Sequence, residues 1–162
     1  GPEIQASLLY EQQVVGVAKA GHPLLAARMT PKRFAAQPHV AITQRGGAQE
    51  SIDVLLAQLG LARCPVLTVP SAYGALMAAA RSSMVACVPE PLALAVAPAL
   101  DLEVFKLPVA MPSEQVAQAW HPRDEMDQAH QRLRECVATV YKQVAFGPLR
   151  AGSLAAHRAL LS

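Results

Sequence analysis

The chain has 162 residues, with 14 Lys and Arg against 12 Asp and Glu and a formal net charge of +2, too small and scattered an excess for a nucleic-acid or membrane surface. Apolar residues at 52% and charged residues at 16% exclude the composition of a disordered segment and supply ample core. Much of that apolar content is alanine, 31 residues against 4% aromatic, which favours closely packed helices in one ordinary domain or two small lobes.

In chain order, "QQVVGVA" (12–18) reads as a first strand, and "GHP" (21–23) as a hinge after it. "HVAIT" (39–43) is a short β-branched run, hence a buried strand. Ile52, Leu55, Leu56 and Leu59 then form one apolar helical stripe, with Gly60 where a C-terminal cap belongs. "CPVLTV" (64–69) is a strand, and Ser71 is placed to N-cap an alanine-rich helix running to Arg81. "MVACV" (84–88) is a strand, Pro89 to Ala97 a short helix, and "LEVFKL" (102–107) a half-buried strand. Pro112 marks a second hinge, "EQVAQAW" (114–120) a return strand, and Met126, Ala129, Leu133, Val137, Val140 and Val144 the stripe of a long helix. Strands alternating with helices through short connections predict an α/β unit with a parallel sheet. The organisation expected is a partial lobe at 1–20, a complete lobe at 21–112, the first lobe's return strand and helix at 113–146, and a tail from 147 to 162.

The densest polar stretch is "AWHPRDEMDQAHQRLR" (119–134), with two histidines, three arginines and the single tryptophan. Catalysis there would need a nucleophile or base with an orienting partner. No GxSxG elbow is present, and the nine-residue spacing of His121 and His130 suits no common zinc motif. Every residue fits a joint instead. Asp124 is placed to N-cap the long helix, Trp120 to anchor the strand in the core, and Arg132 and Arg134 to lie on a solvated face. No catalytic residue, metal ligand or cofactor is expected.

Cys64, Cys87 and Cys136 form no CxxC pair, and the reading is reduced core thiols in a cytoplasmic protein. No apolar run approaches the ~20 residues that span a bilayer. The start, "GPEIQASLLYEQQ", has neither a signal peptide's features nor a Met, and reads as the middle of a longer protein.

Four stretches carry a resemblance: "LLYEQQVVGVAKAGHPL" (8–24), "IDVLLAQLGLAR" (52–63), "VPSAYGALMAAARSSMVACVPEPLA" (69–93) and "WHPRDEMDQAHQRLR" (120–134). In this order they resemble the effector-binding domain of LysR-type transcriptional regulators, with Gln131-Arg132 where many members carry Arg-Trp. The ending looks most like the branch that senses aromatic inducers. The resemblance implies an α/β, type II periplasmic-binding-protein-like fold of two lobes, here one complete and one partial, with a small molecule between them. It also implies a homo-oligomer, dimer or tetramer, and a DNA-reading helix-turn-helix upstream of Gly1.

Carried onto this chain, the effector site falls on Thr43, Gln44, Arg45 and Gly46 after one strand, and on Pro70, Ser71, Ala72 and Tyr73 after the next. Open parallel sheets collect ligands beyond the carboxyl ends of their strands, where helix N-termini offer free N–H groups. An aromatic acid would find amide donors, Arg45 as counter-ion and the Tyr73 ring for stacking. Read as structure alone, Ser71 is an N-cap, Gly46-Gly47 a turn, Arg45 a solvated charge and Tyr73 a core residue. Two other functions compete: a transporter's solute-binding protein, which would need an export signal, and a small α/β enzyme, which would need a nucleophile elbow or paired carboxylates.

Overall fold

The apolar runs fold as strands, and the computed structural model, which describes residues 3–43 and 48–146, sorts them into two sheets. In chain order the strands are β1 (Gln5–Gln12), β2 (Val14–Lys19), β3 (Pro38–Ile42), β4 (Cys64–Val69), β5 (Val85–Pro89), β6 (Leu102–Phe105) and β7 (Glu114–Trp120). The helices are α1 (Pro31–Ala35), α2 (Ala48–Gln58), α3 (Ala72–Ala80), α4 (Glu90–Val96) and α5 (Gln128–Phe146). Contacts divide the chain into a unit of residues 13–114 and a unit of residues 1–12 with 115–162.

The 13–114 unit is built on a five-stranded sheet in the order β4-β3-β5-β2-β6. β3 runs parallel to β4 and β5, as the strand–helix alternation predicts. β2 is antiparallel to both its neighbours, β5 and β6, so the sheet is mixed and not wholly parallel. The 12–18 strand, expected as a flanking piece, is therefore the fourth of the five strands. Its composition explains the place: Val14 through Ala18 are all buried, and an uninterrupted apolar run is what a strand covered on both faces requires.

The two faces have separate cores. On one, Val15, Val17, Val40, Ile42, Ala86 and Val88 pack with Ala75, Leu76 and Ala79 of α3 and Ala93 of α4. On the other, Val14, Ala18, Val85, Cys87 and Phe105 pack with Phe34 of α1 and Ile52 and Leu56 of α2. The five alanines of α3 give it small side chains with which to approach the sheet closely. Gly60, with φ +70, ends α2 as the sequence predicts, and its N–H donates to the Ala57 carbonyl at 2.9 Å.

"GHP" lies inside this unit and is not a hinge. His22 is buried; its Nδ1 accepts from the Leu24 N–H at 3.0 Å, capping a single 3-10 turn, and its Nε2 lies 2.9 Å from the Ser83 carbonyl. By contacts the unit runs from residue 13 to residue 114, beside the 21–112 expected for the complete lobe. Helix α1 was not anticipated, although Thr30 caps it through Oγ1 and Pro31 opens it, a legible start signal.

In the other unit β1, also unanticipated, pairs with β7 in a two-stranded sheet. Helix α5 lies against β1, with Tyr10 stacked on Tyr141 at 6.0 Å between ring centroids. The predicted apolar stripe is largely uncovered: Leu133 and Val140 are exposed, and Met126 precedes the helix and is exposed too.

Candidate functional site

The carboxyl ends of β3 and β4 lie side by side. Thr43 follows β3 directly; its N–H donates to the Val69 carbonyl at 2.9 Å, and its Oγ1 donates to the same oxygen at 3.3 Å. That double tie holds the end of β3 against the end of β4, with Thr43 itself exposed. Pro70 and Ser71 then turn the chain into α3. Ser71 has extended backbone, φ −146 and ψ 155, and its Oγ accepts from the Gly74 N–H at 3.1 Å. The capping role is thus present, and the hydroxyl keeps its proton to donate elsewhere.

Ala72 packs against the α3 core, whereas Tyr73 is 55% exposed and is not a core residue. The structure brings Thr43, Pro70, Ser71, Ala72 and Tyr73 together at one edge of the sheet. Gln44, Arg45 and Gly46 lie outside the described residues. Such an edge can do two things chemically: donate hydrogen bonds from a hydroxyl and a helix start, and offer an aromatic face.

The 119–134 stretch is a second polar cluster, and its groups are spent on one another. His121 Nδ1 accepts from the Arg123 N–H at 3.2 Å and caps a 3-10 turn at Pro122–Asp124. Helix α5 is capped by Asp127, whose Oδ1 accepts from the His130 N–H at 2.8 Å, and not by Asp124. The shift has a cause. Asp124 lies within the preceding 3-10 turn, and Asp127, three residues on, is the aspartate placed to meet the first helical N–H groups.

Trp120 is half-buried and not a core anchor. Its Nε1–H donates to Glu125, and the Arg134 guanidinium sits 4.4 Å from its ring centroid. Arg134 is correspondingly held and not solvated. It donates to the carbonyls of Asp124 at 3.2 Å and Glu125 at 3.1 Å, and lies 3.0 Å from His130 Nδ1. Arg132 is exposed, as expected. The arrangement fastens the end of β7 to the start of α5.

A third cluster escaped the sequence reading. His39 on β3 is fully buried, with Nε2 2.8 Å from the Phe34 carbonyl. Arg63, its side chain 1% exposed, forks onto Asp53 of α2 through Nε at 2.6 Å and Nη2 at 3.1 Å. The sole sequence signal was one arginine in "LGLARCPVL", at the entry to a strand. Cys87 shares this face, and burial pushes its thiol up to about 12, so it is an inert core thiol. Cys64 is exposed and not core, because β4 is an edge strand with five of its six residues exposed. Among the described residues, no cluster of His, Cys, Asp and Glu has the grouping to hold a metal ion, and no helix is long and apolar enough to cross a membrane.

The family model described as LysR substrate binding domain matches residues 1–142. The HTH-type transcriptional regulator SyrM of Rhizobium meliloti (strain 1021) is 34% identical over 131 residues, covering 80% of this chain and 40% of that protein. The chain spans less than half the length of the curated relatives it matches. Among solved structures, a transcriptional regulator from Vibrio parahaemolyticus described as putative superposes with a TM-score of 0.73 at 25% identity, covering 90% of this chain and 69% of that one. The effector binding domain of QuiR in complex with shikimate is alike in fold alone, with a TM-score of 0.67 at 16% identity over 86% of this chain and 66% of that one. The mixed α/β sheets are those of the type II periplasmic-binding-protein-like fold. With the family model matching all but the last residues, the chain belongs to the LysR substrate binding domain family, the effector-binding part of LysR-type transcriptional regulators.

Proposed function

We propose that this chain senses a small organic acid, and that the acid is held at the carboxyl ends of β3 and β4. The observation that carries the reading is the Thr43–Val69 tie, which sets an exposed threonine beside the Ser71 turn and the exposed Tyr73 ring. Ser71 and the start of α3 supply donors to a carboxylate. Tyr73 supplies a face for an aromatic or cyclic body. Arg45, which follows Thr43 in sequence, supplies the counter-charge. The solved QuiR domain holds shikimate, a cyclic carboxylic acid, on the same fold, which supports this ligand class.

The chain acts as a binding module and not as an enzyme. The full-length protein is a homo-oligomeric cytoplasmic regulator that reads DNA through a helix-turn-helix outside this chain, and effector binding biases its DNA-bound state by differential affinity. The test is a thermal-shift screen of the full-length regulator against aromatic and aliphatic acids, followed by titration of the acid that stabilises it. Arg45→Ala removes a charge-assisted hydrogen bond of about 1.5–3 kcal/mol, a loss of tenfold or more in affinity. Tyr73→Ala removes roughly 0.5–1.5 kcal/mol of stacking. Wild-type affinity in both variants, or no acid that stabilises the protein, would refute the reading.

A further inference from the structure

The buried cluster on the α2 face of the sheet has no part in the effector wall, and its chemistry is sensitive to protons. His39 Nε2 faces the Phe34 carbonyl at 2.8 Å, and a carbonyl can only accept, so Nε2 carries the hydrogen. Nδ1 is then a bare lone pair, shut off from solvent and without a hydrogen-bond partner. The Phe34 ring closes against the imidazole edge-on, 4.7 Å between centroids at 73°. A second proton would therefore sit on Nδ1 as an N–H with no acceptor in a seat of 0% exposure.

Of the surrounding charges, Asp53 favours a charged ring and Arg63 opposes it. On α1, Lys32 is exposed and the Arg33 guanidinium is spent on the carbonyls of Arg28 at 2.7 Å and Pro23 at 3.1 Å. On α2, Glu50 is exposed and Asp53 is already forked by Arg63. On β5, the Cys87 thiol is neutral. Arg63, ahead of β4, is a buried cation acting on the ring.

We propose that His39 is an acid-sensitive seat in the 13–114 unit, holding α1 against β3 while neutral and loosening them when mild acid forces a proton onto the ring. Burial, first, and the Arg63 guanidinium lower the ring's pKa from its ordinary 6.5, against the Phe34 carbonyl and Asp53, which favour the charged form. A group whose folded pKa is depressed favours the folded state fully above its unfolded pKa, and that stability drains away as pH falls below 6.5. β3 runs from His39 directly to Thr43, so the loosening reaches the wall of the proposed effector site. That consequence rests on the effector reading; the proton sensitivity does not.

The experiment is urea unfolding of this chain by circular dichroism at pH 7.5 and 5.5, for wild type and His39→Gln, whose amide keeps a donor for the Phe34 carbonyl but does not titrate. The unfolding equilibrium constant is expected to rise more in wild type than in the variant, by a factor with a ceiling of about ten. That ceiling is the protonation of an unfolded histidine of pKa 6.5 between the two pH values, with the folded ring taking no proton. Equal acid dependence in the two proteins overturns the proposal. If His39→Gln fails to fold, the imidazole resonance of wild type decides: a ring that half-protonates at 6.5 while the chain stays folded overturns it, and one that stays neutral supports it. Neither measurement uses an effector, so their failure leaves the effector reading standing.

Discussion

Gly16→Ala is the sharpest test of where β2 lies. In register, Gly16 faces Cys87 of β5 on one side and Phe105 of β6 on the other. The Phe105 ring lies directly over the glycine: a Cβ there would stand 2.2 Å from Cε2, 2.3 Å from Cζ and 2.9 Å from Cδ2. Contact at van der Waals distance, about 3.5–4.0 Å, therefore needs a displacement of roughly 1.5 Å in a close-packed interior. The ring has nowhere cheap to go. Phe105 is 6% exposed and meets Phe34 edge-on at 6.4 Å, and Phe34 is itself fully buried against His39.

Overpacking of this kind costs about 1–3 kcal/mol, and with both neighbours pinned the upper half of that range applies. Alanine's better strand propensity offsets a few tenths. A net loss of about 2 kcal/mol is a large share of a domain's stability of about 5–15 kcal/mol. Urea denaturation followed by circular dichroism reads it as a lower midpoint at unchanged slope. The control is Phe105→Leu, which shortens the obstructing ring. In that background Gly16→Ala should cost less than about 1 kcal/mol, a coupling that independent sites do not show. A Gly16→Ala protein within about 0.5 kcal/mol of wild type, or the same loss in both backgrounds, would refute the packing of β2 against β6.

Two further substitutions test the buried pair and the joint. Asp53→Ala takes the carboxylate from an Arg63 side chain that is 1% exposed, and breaking a buried pair costs about 3–5 kcal/mol. Because Asp53 is 54% exposed, the expected loss is nearer 2 kcal/mol, while Arg63→Met, which leaves no buried charge, should cost less by the same urea assay. Arg134→Ala frees the Trp120 ring and the two carbonyls it ties, so the single tryptophan's fluorescence should shift to the red with a loss of about 1–2 kcal/mol. Arg134→Lys should recover only part of either, since an ammonium lacks the planar fork; an unchanged spectrum in Arg134→Ala would count against the stacked geometry.

Where one element sets its own geometry, the sequence was readable. The Ser71 cap and the Gly60 stop depend on neighbours within a turn or two and stand where the pattern puts them; of the predicted α2 stripe, Ile52 and Leu56 are core, Leu55 is half-buried and Leu59 is exposed. What escaped depends on partners far along the chain. The burial of Val14–Ala18 was written in its composition, but its partners are more than 60 residues away, and nothing local says that they flank it on both sides. One residue, Gln13, separates β1 from β2, so a single run conceals two strands that belong to different sheets. The sequence pattern puts the α5 cap at Asp124, and the structure puts it at Asp127. The choice between them is made by His121 capping the turn and by Arg134 reaching back to hold it. Cys64 opens an apolar strand, and only the sheet order shows that strand to be an edge.

For the proposed effector wall, the stripe logic of α3 separates Tyr73 from the fold. Ala72, Ala75, Leu76 and Ala79 follow the i, i+3, i+4, i+7 rule and pack into the core, and Tyr73 falls off that stripe. A single exposed aromatic needs no explanation in itself. Its position narrows the possibilities: it stands in the first turn of α3, four residues past the end of β4 and two past the Ser71 cap, whose hydroxyl still has a proton to give. The stability of α3 comes from the alanines and the Ser71 cap, so Tyr73→Ala should leave the helix intact. Effector affinity lost without loss of fold is the signature of a side chain kept for what it meets outside the chain.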